Sequence, residues 1–92
     1  MDKIRTQGKV LLDEHGRERI FHGINVCDKG LYNPETGKRV FEYEWTDGRL
    51  EKFKACGMNI IRLGITWEAV EPEKGKYNEE YLDAVEKMLD EC

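Results

Sequence analysis

Arg62 ends the apolar run Met58-Asn59-Ile60-Ile61-Arg62-Leu63-Gly64, and Trp67-Glu68-Ala69-Val70-Glu71-Pro72 follows at once. A guanidinium stays charged and donates through a planar fork. At a strand end it can hold a carboxylate ionised and oriented, or it can close a structural ion pair. Asn25, inside His22-Gly23-Ile24-Asn25-Val26, adds an amide within a second short apolar run. Glu68 and Glu71 invite a paired-carboxylate reading, but no adjacent strand would hold them, so they read as surface acids. His22 stands alone, and Cys27, Cys56 and Cys92 are odd in number and far apart. Neither a metal site nor a disulfide framework follows from that pattern, and no cofactor is expected.

Elements must carry these groups to one place. Asn59 to Leu63 reads as a strand buried on both faces, a type whose carboxyl end is where α/β folds place chemistry. Alternation sets Ile60 and Arg62 on one face, Ile61 and Leu63 on the other. The pattern predicts a hairpin at 9–21, a strand at 22–26, a loop at 27–45, a helix at 46–56, a strand at 58–63, a loop at 64–77 and a helix at 78–91. Thr46 is the expected first N-cap, Gly57 the stop, and Asn78 the second helix start. Tyr81, Leu82, Val85, Met88 and Leu89 repeat at helical spacing and should face a core. Two strands joined through one helix must run parallel. A two-stranded parallel sheet leaves two edges and two apolar faces to cover, so residues 1–92 read as a single partial α/β domain.

Composition narrows the classes. Lysine and arginine total 15 against 19 acids, a net charge of −4, with the bases scattered among acids. That surface favours neither nucleic acid nor an anionic membrane. The stretch from Met1 to Gly8 has no apolar core of the signal-peptide kind, and no run is long enough to span a bilayer. The chain therefore reads as cytoplasmic as it stands, or as a segment of something larger whose parent is secreted.

Three stretches resemble the first quarter of a glycoside hydrolase family 5 enzyme, of the cellulase and endoglycoceramidase-like kind. Lys9 to Phe21 resembles the hairpin closing the bottom of such barrels. His22-Gly23-Ile24-Asn25-Val26-Cys27-Asp28-Lys29 resembles the first strand. Cys56 to Pro72, continued by Gly75-Lys76-Tyr77-Asn78-Glu79-Glu80-Tyr81, resembles the second strand and its loop. The resemblance implies the amino-terminal part of a (β/α)8 barrel that cleaves β-glycosidic bonds with retention. Retention needs two carboxyl groups about 5–5.5 Å apart, and the family places both glutamates on the fourth and seventh strands. Barrels run to about 250 residues, so both acids would fall outside these strands.

The resemblance also implies roles. Arg62 would point into the barrel mouth beside the nucleophile as support. Asn25 would bond sugar hydroxyls or brace the floor of the site. Lys29, with Asp28 beside it, would touch substrate or else sit as a solvated loop charge. Trp67 would stack on a pyranose or, as the preferred account, pack beneath its loop. Tyr32, Phe41, Tyr43 and Trp45 would pack their connector or line a carbohydrate or lipid groove. Asn78-Glu79 copies the dipeptide of the family's fourth strand, but capping accounts for it better. A carbohydrate or glycolipid substrate is the expected partner. A self-associating, non-enzymatic barrel fragment or engineered module is the alternative, and a small independent binding module is the third.

Overall fold

The computed structural model describes residues 3–92; Met1 and Asp2, part of the stretch read for a leader, lie outside the described residues. Strand β1 (Arg5–Gln7) pairs antiparallel with β2 (Val10–Leu12). Gly8, at φ +59, makes the tight turn between them possible. The hairpin expected at 9–21 is thus displaced, since β2 takes most of its pairing from the residues before it. The bridge Leu12↔Glu18 and the bonds from Arg19 N to Leu11 O (2.8 Å) and from Asp13 N to Arg17 O (2.9 Å) remain of the expected second strand. Asp13 is the cause. Its side chain accepts from the His15 and Arg17 backbone N–H groups at 2.9 and 3.0 Å, curling the chain out of the ladder.

β3 (Gly23–Cys27) and β6 (Ile60–Gly64) form a parallel pair, with Asn25 opposite Arg62 and Val26 opposite Leu63. Glycine sets both ends of that pair. A Cβ at Gly23 would stand 1.8 Å from the Ile60 carbonyl oxygen, and one at Gly64 would stand 2.7 Å from Cys27 Sγ. Asn59 extends the pairing below β3: its N–H donates to His22 O (2.9 Å) and its Oδ1 accepts from His22 N (2.8 Å). Its amide nitrogen also donates to Ile20 O at 3.0 Å.

The connector expected as loop at 27–45 contains a hairpin instead. β4 (Leu31–Asn33) pairs with β5 (Lys38–Val40) around Asn33-Pro34-Glu35-Thr36-Gly37, where Asn33 Oδ1 accepts from Glu35 N at 2.9 Å. The turn was readable; the strands, three residues each and polar on the returning side, were not. Helix α1 (Arg49–Ala55) is shorter than the expected 46–56. Its N-cap is Gly48 at φ +69 rather than Thr46, because Asp47 folds over the start and accepts from Arg49 N at 3.2 Å. α1 stops at Gly57, φ +81, as expected of a C-terminal glycine.

A single turn, α2 (Trp67–Val70), interrupts the expected loop at 64–77, and α3 (Glu79–Glu91) follows. Asn78 caps α3, its Oδ1 accepting from Tyr81 N at 3.1 Å, so the decoy dipeptide is a helix start. The buried apolar side chains among the described residues are Ala69, Tyr81 and Met88. Leu89, expected on the core face of α3, is half exposed because nothing covers that end. Among the described residues three two-stranded sheets and no closed barrel result. The radius of gyration is 16.6 Å, against about 12 Å for a compact chain of this length. This small mixed α/β piece is extended and thinly cored.

Candidate functional site

Parallel pairing brings the carboxyl ends of β3 and β6 together, so the segments after both strands share one end of the sheet. Val26 and Leu63 turn to α3, where they line a small cavity with Tyr81, Val85 and Met88. Asn25 and Arg62 are paired in register and both exposed, as alternation requires of the face away from α3. The Arg62 side chain has no ion pair or hydrogen bond among the described residues. The structural ion pair weighed against it is therefore not formed there.

Asp28, one of the expected substrate-binding residues, is held by its own loop. One carboxylate oxygen accepts from Gly30 N at 2.8 Å, and the other accepts from Glu42 N. Both oxygens are engaged by the backbone of the β3–α1 connector, so Asp28 braces that loop. Lys29 is exposed, and its carbonyl accepts from the Arg39 guanidinium at 3.5 Å. Farther along the connector, Arg49 binds Glu42 at 2.8 Å and Asp47 at 3.0 Å, with its guanidinium 5.6 Å from the Trp45 ring centroid.

Trp67 corrects another expectation, for it does not pack beneath the loop. It is 78% exposed at the start of α2. Its indole Nε1 donates to Glu71 Oε2 at 2.8 Å, and Glu71 Oε1 accepts from Gly75 N at 2.7 Å. The Gly75 amide and the indole together hold the Glu71 carboxyl below its ordinary range. Glu68 lies 3.8 Å from Arg39 instead. The two acids serve separate partners.

The connector aromatics divide. Phe41 and Tyr43 pack on Tyr81, with centroids 6.0 and 5.8 Å away, the second pair edge-to-face. Burial and the charge of Asp28 raise the Tyr81 hydroxyl above its ordinary range. Phe41, Tyr43, Arg39, Glu68 and Pro72 line an open groove of about 290 Å³ between the β4–β5 hairpin and the segment after β6. Asn78 closes its floor by donating to the Tyr43 hydroxyl at 3.0 Å. Tyr32 stays exposed and outside it. Sequence reading missed Arg39 and the binding duty of Glu71; the i, i+4 spacing of Trp67 and Glu71 was the available signal.

Among the described residues no group of three His, Cys, Asp or Glu is placed to hold a metal, and all three cysteines are free and exposed. No helix among them is long and apolar enough to cross a membrane.

Comparison with known proteins places this arrangement among glycosidases. The chain is 35% identical over 89 residues to an endoglycoceramidase of Hydra vulgaris, covering 94% of this chain and 17% of the relative. It is 29% identical to endoglycoceramidase I of Rhodococcus hoagii, covering 95% of this chain and 17% of that protein. Against β-galactosidase BgaB of a Geobacillus strain it is 36% identical over 66 residues, or 71% of this chain and 9% of the relative. The chain thus spans about a sixth of the length of the endoglycoceramidases it matches. No solved structure matches it. Residues 31–92, from the β4–β5 hairpin through α3, match the family profile described as Beta-galactosidase, and the chain belongs to that glycoside hydrolase family, number 42.

Proposed function

We propose that these residues are the amino-terminal portion of a retaining β-glycosidase of the endoglycoceramidase-like type, built on a (β/α)8 barrel. The parent hydrolyses the O-glycosyl bonds of a glycan or glycolipid. Arg62 orients and keeps ionised a carboxylate that a later strand brings, Asn25 and Lys29 meet sugar hydroxyls, and Trp67 offers a ring to a pyranose. The catalytic pair, about 5–5.5 Å apart in retaining enzymes, belongs to strands beyond β6, so this chain alone is inactive. The observation that supports the reading most is the Arg62 side chain, exposed and without a partner among the described residues, beside Asn25 at the open end of a parallel pair. An unpaired cation there suits a carboxylate from elsewhere in a barrel.

The purified chain should show no turnover of an aryl β-glucoside, and turnover would overturn the division of labour. Grafted in place of the matching segment of the Hydra relative, the chain should sustain glycolipid cleavage. Arg62→Ala should then lower kcat about 10²-fold, the scale of a misplaced reacting group. A fully active Arg62→Ala graft would remove Arg62 from the site.

One observation favours a second reading. Among the described residues both edges of the β3–β6 pair are unpaired, and Leu31 and Val40, opposed in β4 and β5, are 81% and 59% exposed. Such edges and apolar faces template association. A self-associating fragment would appear in light scattering as a multimer, whereas a monomer with sharp cooperative unfolding would exclude it.

A further inference from the structure

An exposed tryptophan is ordinarily a poor platform, because it exchanges between staggered rotamers and loses that freedom when a ligand lands. Trp67 is held instead. One oxygen of Glu71 accepts from its indole at 2.8 Å, and the other accepts from the Gly75 amide at 2.7 Å. The Gly75 loop is itself closed by a bond from Lys76 N to Glu73 O at 2.9 Å, with Gly75 at φ +78. The carboxylate is therefore fixed on one side by backbone and fixes the ring on the other. A loop that needed only closure would use the Gly75 bond and leave the indole to solvent.

We propose that Glu71 is a positioning residue that locks the Trp67 indole in one orientation, so that the ring stacks on a sugar at the open end of the β3–β6 pair. The inference rests on the reading of Trp67 as a sugar platform. Glutamine separates the two duties of Glu71. Its one carbonyl oxygen can accept from Gly75 or from the indole but not as a carboxylate does from both, and its amide nitrogen only donates.

The test follows the Trp67 indole N–H by NMR in the 92-residue chain, assigned by its loss in Trp67→Phe, with methyl β-lactoside as the probe. In the unaltered chain the signal is protected from exchange, titrates with a midpoint below the ordinary carboxylate range, and moves as the disaccharide is added. In Glu71→Gln the titration vanishes, protection falls, and affinity drops about three- to tenfold, the scale of freeing one side chain. Backbone amides outside residues 67–76 stay in place. A role in loop closure alone would disturb the amides of 72–76 and leave the ring signal unchanged. If Glu71→Gln keeps the indole protected and binds within twofold while Trp67→Ala abolishes binding, the positioning role is wrong and the platform stands. If the disaccharide moves no signal, or Trp67→Ala binds as well as the unaltered chain, the platform itself fails.

Discussion

Asp13 has no solvent-accessible surface, yet its carboxyl is held at about 2 against an ordinary value of 3.8. Burial alone would raise it. The Arg17 amide and guanidinium, at 3.0 and 2.8 Å, and the His15 amide outweigh that by bonding the charged form. A depressed native value means Asp13 contributes its full stabilisation above pH 3.8 and loses it as the pH falls through about 2. Acid titration of the β2 amides should therefore show a transition in that window. Asp13→Asn should flatten the transition and weaken the turn at every pH above it. A carboxyl titrating at its ordinary value would refute the assignment. Arg62 differs in kind: its charge is unanswered among the described residues, and its value lies in what reaches it.

Among the elements, α3 and the β3–β6 pair carry most of the order. Asn78 caps α3 and also donates to Tyr43, so Asn78→Ala should cost about 1 kcal/mol in helix stability and free the connector aromatics. Helicity by circular dichroism and the chemical shifts of the Tyr43 ring would register the two effects separately. Gly23→Ala forces a methyl group against the Ile60 carbonyl, 1.8 Å from the unshifted oxygen, and should open the amino end of the pair. Loss of amide protection at Ile61 with protection kept at Gly64 is the expected pattern. The parallel pair, the Gly57 stop and the Asn78 cap were legible because each has a local signature: an apolar run, a left-handed glycine and a short polar side chain before acids. The displaced first hairpin, the β4–β5 hairpin and the Gly48 cap were not. Their partners are chosen by the side chains of Asp13 and Asp47 and by pairing across a four-residue connection, which no periodicity records. In the candidate site, the placement of Arg62 followed from alternation alone. The exposure of Trp67 and the bracing by Asp28 depend on which loop atoms come within bonding reach.

As a whole, the molecule extends over 52 × 31 × 20 Å, with few buried apolar side chains and three separate sheets among the described residues. A chain of 92 residues organised in this way has too little apolar burial to offset its backbone entropy comfortably. Its unfolding should be broad in denaturant, and Ile60→Lys on the exposed edge strand should reduce any concentration-dependent light scattering by adding charge where strands would add. A sharp transition independent of protein concentration would contradict that picture. Membership of a glycoside hydrolase family and coverage of about a sixth of the endoglycoceramidase relatives agree with an extended piece whose open faces suit further strands.

The edge-to-face contact between Tyr43 and Tyr81 spans thirty-eight positions of sequence, counting from 43 to 81. On a ribosome the chain emerges amino end first, at about 5–20 residues per second. The segment after β3 therefore waits some seconds for the ring that seats it, and a nascent chain stalled before Tyr81 would expose Phe41 and Tyr43 to any holding chaperone.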